Sequence, residues 1–174
     1  MDIKEEANAS SLLFPNRSQE NHTLDEFRVP AWNSGAGAVV HCVHEYKNLD
    51  NVQSGERSQE ITFDFVSAQA GISRRAQTIP GHRYQIEAWG KHVRSESPVE
   101  LSLGVDLTGG GDWQAATVTW HPWDETGESV WVHTQVTVRA GGPGLGVFLK
   151  GYHPFAAQGG ATLFDNVRVV DLGP

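Results

Sequence analysis

The chain has 174 residues, 39% of them apolar and 20% charged, which suits one domain with a real core and excludes a disordered tail. No apolar run approaches the roughly 20 residues that a membrane helix needs. A formal net charge of −8 makes the chain a poor partner for nucleic acid, whose affinity rests on Lys and Arg releasing phosphate counterions.

Residues 1–11 are polar and read as a flexible N-terminal segment, followed by a single domain over 12–174. The opening Met1-Asp-Ile-Lys-Glu-Glu lacks the basic and apolar regions of a signal peptide, so the chain reads as a protein that is not exported or as a module of something larger. Asn8-Ala-Ser, Asn16-Arg-Ser and Asn21-His-Thr are formal glycosylation sequons. Strand signals begin with the β-branched stretch Ala38 to Val43. Gln59 to Phe65 alternates, with Ile61, Phe63 and Phe65 on one face. Gly71 to Ile79 follows and is closed by the turn former Pro80-Gly81. From Arg83 to His92, Tyr84, Ile86 and Ala88 share one face, while Gln85, Glu87, Trp89 and Lys91 share the other. Val99 to Asp106 sets Val99, Leu101, Leu103 and Val105 against polar and small residues. A loop at Gly109-Gly-Gly-Asp112 leads into Ala116 to Trp120, then Val130 to Ala140 with Val130, Val132, Val136 and Val138 in phase. Leu145 to Lys150 and Thr162 to Val170 complete about nine strands, with no amphipathic helix. Frequent glycine and more valine than leucine agree with short strands and tight loops. The expected fold is all-β, an antiparallel β-sandwich or barrel.

Seven segments occur in a fixed order: Leu12-Leu-Phe-Pro-Asn-Arg-Ser-Gln-Glu20, Val29-Pro-Ala-Trp32, Val52-Gln-Ser-Gly-Glu-Arg-Ser-Gln59, Ala70-Gly-Ile72, Ile79-Pro-Gly-His-Arg-Tyr-Gln-Ile-Glu-Ala-Trp89, Leu103-Gly-Val-Asp-Leu-Thr-Gly-Gly110 and Leu163-Phe-Asp-Asn-Val-Arg-Val169. This order resembles the carbohydrate-binding modules with the galactose-binding-like jelly-roll fold that accompany bacterial glycoside hydrolases. The resemblance spans residues 12 to 170. It departs from the family at Ser73-Arg74-Arg75, where many relatives carry aromatic and Gln residues, and at Gln19, where the first motif has Phe. It implies a jelly-roll sandwich, an extracellular setting, tethering to other domains, and a structural calcium ion held by Glu20 and Asp165. Calcium takes six to eight oxygens, which loop carbonyls and carboxylates from several segments supply; Asp64, Asp106 and Asp112 are weaker candidates.

Six tryptophans suggest where a sugar would sit. Sugars present flat C–H patches that pack on aromatic plates, and hydroxyls that need directed polar partners. Trp89 and Trp131 fall out of phase with their apolar neighbours, and Glu87, His133 and Gln135 share those outer faces. Trp113, Trp120 and Trp123 sit in or beside the Gly-rich loop, and Arg74 or Arg75 suits an acidic sugar. Trp32, in a Pro-x-Trp turn, reads as a structural plug. His41 and His44, three apart on a strand, point to opposite faces and make no zinc site. No nucleophile elbow, phosphate loop or His-Glu-x-x-His is present. The sequence therefore reads as a non-catalytic carbohydrate-binding module for an oligosaccharide or polysaccharide, with no nucleic-acid or membrane partner. The alternatives are an interaction module of the same fold without a sugar site, or a jelly-roll polysaccharide lyase using residues such as Tyr46, Tyr84, His133 and Arg75.

Overall fold

A computed structural model describes residues 12–13, 25–33, 39–46, 49–54, 58–94, 99–123, 127–156 and 159–174, with side chains from Asp50 onward. The described strands are β1 (Leu12–Leu13), β2 (Asp25–Asn33), β3 (Val39–Tyr46), β4 (Ser58–Asp64), β5 (Val66–Gln77), β6 (Arg83–Val93), β7 (Glu100–Asp106), β8 (Val118–Pro122), β9 (Val132–Arg139), β10 (Gly144–His153) and β11 (Gly160–Gly173). A short 3-10 turn, Leu49–Asn51, lies between β3 and β4. Sheet I has the order β3-β4-β11-β6-β9, with β1 also paired to β11; sheet II has the order β2-β5-β10-β7-β8. Every strand pairing is antiparallel. The protein is an all-β sandwich, which decides between the sandwich and the barrel that alternation left open.

All nine strands expected from alternation are present, and β1 and β2 are additional. β2 contains the segment read as a Pro-x-Trp turn. Pro30 has no N–H to donate and is tolerated because β2 is an edge strand whose register shifts between Pro30 and Trp32. β5 begins at Val66, earlier than Gly71, because it must reach along both β2 and β10. Val130 is not part of β9. It closes a turn by donating its N–H to the Gly127 carbonyl, and is 54% exposed. Pro80-Gly81 makes the expected tight turn. Gly81 has φ +87°, and the His82 N–H donates to Ile79 O at 3.1 Å. The proposed flexible segment over 1–11 and the three sequons lie outside the described residues.

One core fills the space between the sheets. Sheet I contributes Ile61, Phe63, Tyr84, Ile86, Ala88, Phe164, Val167 and Val169, and sheet II contributes Ala68, Ala70, Ile72, Leu101, Leu103, Val105, Leu145, Val147 and Leu149. Successive side chains on a strand face opposite ways, so each inward set fixes an outward set. Those outward sets form the two faces on which a ligand can lie.

Candidate functional site

The outer face of sheet I carries Trp89 and Trp131 with three of the polar residues expected beside them, Glu87, His133 and Gln135. In the β6–β9 register Trp89 lies opposite His133, and Glu87 opposite Gln135. The Trp89 and His133 rings are tilted against one another at 5.1 Å. The Glu87 carboxylate faces His133 Nε2 at 3.6 Å and Arg168 Nη1 at 3.7 Å, and accepts from Gln85 Nε2 at 3.3 Å. Gln85 also donates to Gln135 Oε1 at 3.2 Å. Trp131 continues this face just before β9. It packs against Val93, Ala161 and Leu163, with the Lys91 ammonium 5.8 Å from its ring. Its indole N–H is buried with no acceptor among the described residues.

On the far side of Trp89, Asp165 is fully buried and lies opposite it in the β6–β11 register. Its Oδ2 accepts from the N–H groups of Gln53 at 2.8 Å and Ser54 at 3.1 Å, and its Oδ1 from Asn166 N–H at 2.5 Å. A bulge after Asp165, where Asn166 has φ +48°, aims the carboxylate this way. Asn166 Nδ2 donates to Gln53 Oε1, and Lys91 Nζ to Asp50 O, so the stretch 50–54 is fastened over this side of the sheet. Burial raises the Asp165 pKa despite the three N–H donors.

The outer face of sheet II is built differently. Trp120 reaches across β7 onto Gly104, its register partner; a Cβ at Gly104 would sit 2.8 Å from the ring's Cζ3. The indole then meets Phe148 at 6.1 Å. Phe148 is fully buried yet points away from the inter-sheet core, because it is out of phase with Val147 and Leu149. Lys150, two residues on, places its ammonium 4.0 Å from the Trp120 ring centroid and donates to Gln69 Oε1 at 3.1 Å. Burial lowers the Lys150 pKa, opposed by the charge of Glu100. Tyr152 stands opposite both Glu100 and Gln69, and is half-buried.

The loop after β7 closes one end of this face. Asp106 is buried, and its Oδ1 accepts from Thr108 N–H at 2.9 Å and Thr108 Oγ1 at 2.7 Å. Burial alone would raise the Asp106 pKa, but hydrogen bonds from Thr108, Thr117 and Gly110 outweigh it and hold the carboxyl below its ordinary value. The Gly110 carbonyl lies against Gly146, leaving no room there for a Cβ, and the exposed Arg75 guanidinium lies beside Gly109.

The expected ligand residues therefore divide. Trp89, Glu87, His133, Gln135 and Trp131 lie on sheet I, and Arg75 and Trp120 on sheet II. Trp123 is corrected from loop contact to core residue. It is 6% exposed, packs against Phe164, and donates its indole N–H to Val132 O at 3.0 Å. The lyase grouping does not assemble among the described side chains: Tyr84 is buried with its hydroxyl donating to Asp171 and accepting from Ile79 N–H, while His133 and Arg75 are on opposite sheets. Tyr46 has no described side chain. Sequence reasoning missed Lys150, Gln69, Tyr152 and Phe148; only the outward phase of Phe148 between Val147 and Leu149 signalled this face.

The calcium expectation falls partly outside the described residues, since Glu20 is not among them. Among the described residues no three His, Cys, Asp or Glu side chains come together to hold a metal. Asp165 Oδ2 accepts from two N–H donors and Oδ1 from one.

Neither a family model nor a curated protein matches the sequence. Solved structures do. The carbohydrate-binding module TmCBM61, in complex with β-1,4-galactotriose, matches with a TM-score of 0.56 at 14% identity, over 83% of this chain and 86% of that one. The enzymatically active domain of bacteriophage CBA120 tailspike protein 4 also matches with a TM-score of 0.56 at 14% identity, over 86% of this chain but 19% of that one. A carbohydrate-binding module of promiscuous specificity from the β-sandwich superfamily matches with a TM-score of 0.50 at 11% identity, over 84% of this chain and 56% of that one. The fold is that of the β-sandwich carbohydrate-binding modules.

Proposed function

We propose that this chain is a non-catalytic carbohydrate-binding domain whose principal site is the outer face of sheet II, centred on Trp120. The single observation that carries this is the aromatic plate itself: an indole laid on bare glycine backbone, with a half-buried ammonium beside it. The plate suits the C–H face of a sugar ring, while Lys150, Gln69 and Tyr152 suit its hydroxyls. Lys150 and Arg75 add donors for a carboxylate-bearing sugar. The sandwich fold supports the reading, since TmCBM61 is bound to a galactotriose.

Affinity is modest, because each sugar hydroxyl exchanges a water hydrogen bond for a protein one at a net gain of about 1 kcal/mol. A glycan array followed by titration calorimetry on the best glycan tests the proposal. Trp120→Ala should lower affinity about 30-fold, as loss of a buried aromatic anchor does. Gly104→Ala should also weaken binding, because its Cβ tips the indole off the floor. Wild-type affinity in both variants, with folding verified by thermal melts, would move the site off this face.

A further inference from the structure

We infer that the outer face of sheet I is a second and independent glycan site, for a neutral sugar whose vicinal hydroxyls donate to Glu87 while its ring lies on Trp89. The inference rests on the sugar-binding reading of the fold but not on Trp120. A cross-strand aromatic pair accounts for Trp89 beside His133. It does not account for Glu87. That carboxylate is held from three directions, by His133 at 3.6 Å, Arg168 at 3.7 Å and Gln85 at 3.3 Å, with its side chain still 20% exposed on the sheet face.

Glu87 and Trp89 alternate along β6, so they stand on one face roughly 7 Å apart. An oriented carboxylate has two oxygens and accepts from two adjacent hydroxyls, while the indole takes the C–H patch of the same ring. Gln135 lies opposite Glu87 and is exposed, offering an amide to a third hydroxyl. On the other side of Trp89 the stretch 50–54 is fastened by Asp165, the register partner of Trp89, and by Lys91.

The charges set the ligand class. On sheet I the Glu87 carboxylate stands two residues from Trp89 and is paired with Arg168 and His133, whereas Lys150 and Arg75 face out from sheet II. A uronic acid gains no net attraction from the first face, where Glu87 is already balanced by Arg168, and is attracted by the second. The two faces lie on opposite sides of one sandwich, so a single domain would hold two saccharide chains at once.

The test uses the intact chain on an array of neutral and acidic oligosaccharides, comparing wild type, Trp89→Ala, Glu87→Gln and Trp120→Ala. Trp89→Ala and Glu87→Gln should each lose at least tenfold in signal on a subset of neutral glycans that Trp120→Ala still binds. Two sites per chain in calorimetry on those glycans would agree. The inference is overturned if Trp89→Ala and Glu87→Gln keep the wild-type pattern on every glycan, or if Trp120→Ala abolishes all binding. A Trp120→Ala pattern identical to wild type would instead refute only the sheet II site. No binding by the wild type to any glycan would overturn both.

Discussion

The two outer faces of the sandwich are each organised by one buried aspartate, and the two carboxyls are held in opposite senses. On sheet II, Asp106 gathers the loop after β7 through two hydrogen bonds from Thr108 and others from Thr117 and Gly110, which outweigh its burial and keep its pKa low. On sheet I, Asp165 gathers the stretch 50–54 through three N–H groups, and burial wins, so its pKa is raised. Acid therefore acts on them differently. A carboxyl with a lowered folded pKa gives stability that is present above its ordinary value and lost as pH falls through the folded one. A carboxyl with a raised folded pKa gives stability that is present below its ordinary value and lost as pH rises. Protonation of Asp106 should loosen the sheet II loop, whereas protonation of Asp165 should not loosen sheet I, although both rest on one core.

The largest predicted effect checks that shared core. His153 is buried, stacked on Phe63 at 3.8 Å, and its Nε2 has no partner among the described residues. Burial, and secondarily the proximity of His92, lowers its pKa to about 3. The unfolded chain protonates near pH 6.5 and the fold resists until about 3, so stability is intact above 6.5 and falls through that window. The loss is about 2 kcal/mol at pH 5 and about 5 kcal/mol once both states are protonated. Thermal melts from pH 7 to 4 should show it, and His153→Phe should flatten the profile. Because the core underlies both faces, glycan binding on each should fail together where unfolding sets in. A His153→Phe profile as steep as wild type would leave the acid response to the carboxyls alone.

The next effect separates the faces. Asp106→Ala strands the Thr108 and Gly110 N–H groups and frees the loop beside Arg75, costing about 2–4 kcal/mol. Asp165→Ala strands three N–H groups and costs a similar amount. Amide exchange at neutral pH should then rise at Thr108 and Gly110 in the first variant and at Gln53 and Ser54 in the second. Deprotection of both segments in either variant would show one cooperative unit rather than two faces.

Why one face was legible in the sequence and the other was not follows from what alternation encodes. Period-two patterning reveals which side of a strand is buried, and it correctly put Tyr84, Ile86 and Ala88 inward, and Glu87 and Trp89 outward. It says nothing about which sheet a strand joins. β6 and β9 are register partners, so Glu87, Trp89, His133 and Gln135 came together, but β5 and β8 belong to the other sheet and carried Arg75 and Trp120 there. Trp123 follows β8 and turns inward under Leu101, a position outside any strand pattern. Lys150 drew no notice because a lysine ending an apolar strand looks solvated; its meaning depends on Trp120, thirty positions away in sequence, lying across Gly104. β2 was hidden by Pro30, which only an edge strand tolerates.

The smallest predicted effect concerns the ion that the motif order implies. A calcium ion bridging Glu20 and Asp165 would use the Asp165 oxygens as ligands at about 2.3–2.6 Å. Here Oδ2 already accepts from Gln53 and Ser54 and Oδ1 from Asn166, and a cation there would face three N–H dipoles directed at the carboxylate. Millimolar calcium or a chelator should therefore leave the melting temperature unchanged to within about one degree. A calcium-dependent rise of several degrees, abolished by Asp165→Asn, would mean that the ion replaces those hydrogen bonds. Sheet I would then be ordered by a metal and sheet II by hydroxyl and N–H donors alone, which would widen the contrast between the faces instead of removing it.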